Sequence, residues 1–192
     1  MHTPKLQRLE AFSDGVMAIA ITLLALELKV IVLNSSNIYD GAQELIPYLP
    51  HLFTFMLSFI TIAIFWVNHH QMTEHIEVLN RRVIWANILF LMFQTLIPFA
   101  TRAITANPEH FLSVATYSFI LFCGSLSFSL LHYLVHKKLD KGTHLYGKNI
   151  RRSLVGPIFY ALAIVTSFYF VPVAYVLLAI PPLYYFLPKS VR

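Results

Sequence analysis

The first residues that could do chemistry lie near the start of the chain, where an acid enters an apolar run. The segment reads Arg8-Leu9-Glu10-Ala11-Phe12-Ser13-Asp14-Gly15-Val16-Met17-Ala18-Ile19-Ala20-Ile21-Thr22-Leu23-Leu24-Ala25-Leu26-Glu27-Leu28. An ionisable side chain one turn into a membrane span costs several kcal/mol unless it is paired, so it faces protein or water. Asp14 is therefore expected to be buried among helices, with Arg8 as one possible partner, and its helix to be central rather than peripheral. Nine histidines offer a second chemistry. His69, His70 and His75 cluster, and His132 and His136 share a helix face at i, i+4, but neither group has the cysteine or carboxylate partners of a zinc spacing. No metal is expected. Hydrogen-bonded histidines near their reference pKa of about 6.5 fit better. Neither a Ser/His/Asp order, nor a Gly-rich phosphate loop, nor paired active-site carboxylates appear, and Glu74 and Glu77 read as a solvated face. An enzyme is the weakest class.

The elements that must position these residues follow from composition. Of 192 residues, 57% are apolar and 12% charged, with a mean hydropathy of +0.65. Soluble domains carry roughly 45–50% apolar and about 25% charged residues, so this is an integral membrane protein. Cys123 is the single cysteine, which excludes a disulfide framework. The net charge of +5 does not point to nucleic acid, because the basic residues lie in short blocks between long apolar runs. A spanning helix takes about 20 apolar residues, which predicts six helices at about 12–33, 46–67, 83–104, 111–135, 155–170 and 173–188. The last two come from one uncharged run, 153–188, too long for a single span. Pro172 is the expected turn, since proline biases Val171 away from helix, and a re-entrant hairpin is the alternative. A cleaved signal peptide is opposed by Asp14 inside the apolar region and by a run continuing to Leu33.

Six spans put 12 of the 14 basic residues on one side: Lys5, Arg8, Arg81, Arg82, the loop from Lys137 to Arg152, Lys189 and Arg192. Lys29 and Arg102 fall opposite. By the positive-inside rule both termini are cytoplasmic. The longest loop is too short to bury a core, no internal repeat is visible, and residues 1–192 read as one six-helix transmembrane domain.

At 100° per residue the first helix carries two stripes. Ala11, Gly15, Ala18, Thr22 and Ala25 form a small one, suited to close approach of a neighbouring helix. Ile19, Leu23, Leu26 and Val30 form a bulky one about 100° away, facing either lipid or other helices.

Arg8-x-x-x-Phe12-Ser13-Asp14-Gly15 opening a first span resembles the signature of the endosomal and lysosomal transmembrane potassium-channel family, and a single copy with six spans resembles its prokaryotic branch. The resemblance implies a homotetramer around one central pore lined by the first helix, and a potassium-preferring cation channel in the plasma membrane, with permeant potassium and no cofactor. It maps the constriction onto Ile19, Leu23 and Leu26, with Thr22 the adjacent polar position. These three belong to the bulky stripe. The sequence has no T-V-G-Y-G segment, so a carbonyl-lined filter is not expected. Arg8, Phe12, Ser13, Asp14 and Gly15 are expected to support the helix. Candidates for their partners are Trp66, Asn68, His69 and His70 at the end of the second span, and Trp85 and Asn87 at the start of the third. The alternatives are a small proton-coupled secondary transporter using Asp14 or the histidines, and a non-conducting scaffold, which would need no polar intramembrane residue.

Overall fold

Residues 3–28, 43–74, 76, 79–136 and 152–186 are described by a computed structural model, and the regular elements among them are all helical. They are α1 (Pro4–Leu24), α2 (Leu49–Thr73), α3 (Arg81–Ala106), α4 (Phe111–His136), α5 (Val155–Ser167) and α6 (Val171–Phe186). Lys29, Val30, Leu33, His75, Glu77, the basic stretch Lys137–Arg151, Lys189 and Arg192 lie outside the described residues.

The first helix begins well before the expected residue 12. The Thr3 side chain accepts a hydrogen bond from the Leu6 amide at 3.4 Å, and Pro4 occupies the first turn, where a missing N–H costs nothing. Hydropathy missed this turn because residues 5–10 are mostly polar, whereas capping needs no apolar side chain. Asp14 therefore sits roughly 15 Å from the helix start rather than in its first turn. At the other end α1 tightens into a 3-10 turn, Ala25–Glu27. Among the described residues four helical segments are long and apolar enough to cross a membrane: Pro4–Glu27, Gln43–Thr73, Arg81–Ala106 and Phe111–His136.

The remaining pair, α5 and α6, is shorter, at 13 and 16 residues. Their turn falls at Phe168–Phe170, just before the expected Pro172, where the Thr166 carbonyl accepts from the amides of Tyr169 (3.1 Å) and Phe170 (2.7 Å). Pro172 instead lies in the first turn of α6, the position that tolerates its missing donor. The turn reaches the connection between α3 and α4. Tyr175 donates to the Pro108 carbonyl at 2.8 Å, and Phe168 packs on Phe111 with ring centroids 5.3 Å apart. The hairpin thus traverses the bundle instead of re-entering from one side.

Packing runs α1 against α2 and α3, α3 against α4, α4 against α5, and α6 back onto α2, α4 and α5. A buried polar clasp ties the middle helices. Thr101 Oγ1 donates to the Ile97 carbonyl (2.8 Å), so the Ser58 hydroxyl, 2.7 Å away, must donate to Thr101, and Tyr117, at 2.9 Å, must donate to Ser58. One donor-to-acceptor chain links α2, α3 and α4 with every proton used, as buried polar groups require. Toward the amino-terminal end Phe65, Phe90 and Phe128 meet with centroids 5.3–5.7 Å apart. The α4–α5 contact depends on a glycine, because a Cβ on Gly156 would come within 3.1 Å of Ser125 Cβ. At the far end the exposed Arg102 and the partly buried Glu27 approach to 3.8 Å.

Candidate functional site

Helix α1 presents three stripes where the sequence suggested two. Ser13, Met17, Ala20 and Leu24 are buried against the chain's own bundle. The spacing of four, three and four residues was legible in the sequence, but polar Ser13 and small Ala20 hide it from a search for bulky residues. The small stripe, Ala11, Gly15, Ala18, Thr22 and Ala25, is exposed on the protomer, and a Cβ on Gly15 would meet nothing within 4 Å. The expected close approach of a neighbouring helix is thus not made within this chain, because the helix turns its Ser13–Leu24 face inward.

The bulky stripe is exposed as well. Ile19, Leu23 and Leu26 are 61%, 42% and 78% exposed, and Phe12, on the same side, is 56% exposed. The three positions fall within about 60° of one another, roughly 120° from the buried stripe. Beside them, Thr22 Oγ1 donates to the Ile19 carbonyl at 2.9 Å. Its proton is thus spent on the backbone, and its oxygen offers only lone pairs outward. Such a face can receive three apolar side chains and one hydroxyl oxygen per chain along a straight path.

The signature residues anchor this helix from behind. Ser13, His69 and Asn87 are essentially fully buried. His69 Nε2 donates to Asn87 Oδ1 (2.7 Å), Asn87 Nδ2 donates to Ser13 Oγ (2.9 Å), and Ser13 Oγ donates to the Leu9 carbonyl (2.8 Å). This chain joins α2, α3 and α1, and the imidazole of His69 also lies parallel to Phe90 at 5.7 Å. Of the partners suggested for it, Asp14 takes Trp66 and not Arg8. It accepts from Trp66 Nε1 at 2.9 Å, while Arg8 is exposed. Asp14 itself is half-buried rather than enclosed, because the indole bridges to it from the rim of α2. Trp66 in turn stacks on His70, with centroids 6.0 Å apart, and His70 lies 3.6 Å from Glu74.

The other candidates stand apart. Trp85 is exposed, and Asn68 donates to the Ile64 carbonyl at 2.7 Å and faces a cavity on the far flank of α2. Of the histidines first considered for a metal, His132 and His136 stack with centroids 4.0 Å apart, and His69 and His70 serve the two anchors. Among the described residues no three metal-ligating side chains converge. The Ser58–Thr101–Tyr117 clasp was not foreseen, since single hydroxyls in apolar helices leave no local pattern.

The Trp66 contact yields a direct expectation. Trp66→Phe keeps an aromatic ring but removes the indole N–H together with the five-membered ring that carries it, so it should lower stability by about 1–2 kcal/mol. Asp14→Asn, which keeps an acceptor oxygen, should cost less than Asp14→Ala. Thermal midpoints of the solubilised protein test this, and a Trp66→Phe variant as stable as the parent beside a destabilised Asp14→Ala would mean that Asp14 acts through another group.

Comparisons with known proteins agree with the fold. Residues 8–98, which hold the signature, α2 and most of α3, match the family model described as endosomal/lysosomal potassium channel TMEM175. A potassium channel of a Chryseobacterium species is 35% identical over 171 residues, covering 85% of this chain and 83% of its own. A potassium channel of Chamaesiphon minutus is 31% identical over 171 residues, covering 84% and 83%. The crystal structure of a lysosomal potassium-selective channel TMEM175 homologue from Chamaesiphon minutus superposes with a TM-score of 0.81 at 28% identity, covering 95% of this chain and 97% of that one. A first helix anchored through Ser13 and Asp14, six helices in this order and relatives alike over most of their length lead to one conclusion: the chain belongs to the TMEM175 family.

Proposed function

We propose that four copies of this chain surround a central pore and conduct potassium in preference to sodium, with Ile19, Leu23 and Leu26 of each α1 forming the constriction. One observation carries the reading: in a member of a channel family, α1 is anchored by its Ser13–Leu24 face while its Ile19–Leu26 face is left exposed on the protomer. Cyclic symmetry turns such a stripe into a closed wall. An ion crossing a ring of Ile or Leu sheds part of its hydration shell without full replacement, and the ring can close by dewetting. Potassium holds its water less tightly than sodium, so it pays less, and the outward lone pairs of Thr22 supply partial coordination. Selectivity is accordingly modest. The distribution of basic residues supports cytoplasmic termini, and the likeness to bacterial channels supports the plasma membrane of a prokaryote.

Two measurements test the reading. Mass determination in nanodiscs should give four protomers, and a functional monomer or dimer would leave too few first helices to enclose an axis. Reconstitution into liposomes under a potassium gradient should give unitary currents. Slow, saturable flux coupled to pH would instead support a proton-coupled transporter.

A further inference from the structure

A cavity of about 260 Å³ lies inside each protomer, away from the α1 face, where the amino-terminal-side ends of α2, α4, α5 and α6 meet. Its mouth carries Asn68, Gln71, His132, His136 and Arg152, and its floor reaches Thr61 and Tyr160. An apolar groove of about 580 Å³ adjoins it, walled by Phe59, Ile60, Ala63, Val67 and Phe186. Asn68, Gln71, Arg152 and Tyr185 border both spaces, so the polar chamber and the apolar groove are continuous. Among the described residues, neither lining contains an aspartate or glutamate.

Arg152 is held at the junction. Its guanidinium lies 5.6 Å from the Tyr184 ring and 5.8 Å from the Tyr185 ring, and the Tyr185 hydroxyl donates to the Arg152 carbonyl at 2.6 Å. A cation–π contact uses no hydrogen-bond acceptor, so it leaves the guanidinium N–H fork suited to a bidentate phosphate. The junction sits where α2 and α4 end, the level at which headgroups meet the hydrocarbon, and basic pockets between helices at that level recognise anionic headgroups. A soluble anion would have no use for the groove. An amphiphile would fill both spaces.

We propose that an anionic phospholipid of the leaflet on the amino-terminal side occupies this site, its phosphate on Arg152 and an acyl chain along the groove of α2 and α6. The site is independent of the conduction path and holds the α5–α6 hairpin to α2.

The test uses the assembled, delipidated protein in detergent, to which dioleoyl phosphatidylglycerol or dioleoyl phosphatidylcholine is added before native mass spectrometry. Both lipids carry a phosphodiester, but phosphatidylcholine neutralises it with its own quaternary ammonium, so phosphatidylglycerol should be retained by about tenfold. Arg152→Gln should abolish that preference, and Ala63→Phe, which fills the groove, should reduce retention of both lipids, with assembled mass unchanged in each variant. An unchanged preference in Arg152→Gln would overturn the assignment. So would displacement of phosphatidylglycerol by millimolar inorganic phosphate, which would make this a site for soluble anions.

Discussion

Leu23→Ser should raise unitary conductance by about tenfold, equivalent to ~1.4 kcal/mol off the barrier to ion passage, and lower potassium preference. Leu23 is 42% exposed and is not among the buried core residues. In the proposed four-fold ring the change removes four isobutyl groups and adds four hydroxyls, which admits water and reduces the dehydration demanded of either ion. Ile19→Ser and Leu26→Ser should act in the same direction, the narrowest ring dominating. Leu24→Ser should behave oppositely, although it is the adjacent residue. Its side chain is fully buried, so truncation opens a cavity at about 3–5 kcal/mol and depletes folded protein, while channels that do assemble conduct normally. Single-channel current and reversal potential across the four variants separate the outcomes. If serine at all three exposed positions leaves correctly assembled protein unaltered in conductance and selectivity, these residues do not line the pore.

Asn87→Ala should be the most damaging change in the polar anchor. It removes two interhelical hydrogen bonds at once, those from His69 and to Ser13. Interhelical bonds in membranes are worth roughly 0.6–1.7 kcal/mol each, so a loss of about 1–3 kcal/mol is expected before any cavity is counted. His69 Nε2 would also be left as a buried donor without its acceptor. That predicts non-additivity: His69→Phe with Asn87→Leu, which removes both partners and keeps bulk, should cost less than the sum of the single changes. Thermal unfolding of the solubilised assembly measures the cycle, and additivity within about 0.3 kcal/mol would mean that the His69–Asn87 bond contributes nothing.

The amino-acid sequence by itself determined the properties that depend on neighbours along the chain. Hydropathy over about 20 residues is a local sum, so the membrane class, the four long spans and the folding back of the final apolar run were all legible. The grouping of Ile19, Leu23 and Leu26 was legible too, because helical periodicity alone puts those residues on one stripe. Periodicity could not say which way the stripe turns. That was decided by Ser13, Met17, Ala20 and Leu24 meeting α2 and α3, which left the small stripe facing away from the chain's own helices. Only the tertiary structure assigned Asp14 to Trp66 instead of the nearby Arg8, and Ser13 to Asn87 and His69. Trp66 lies 52 residues from Asp14 and Asn87 lies 74 from Ser13, and hydrogen bonding demands a fit of a few tenths of an ångström that no residue type announces. The chamber at Arg152 is of the same kind: it exists only because four helix ends converge, and each contributes side chains that look unremarkable within its own segment.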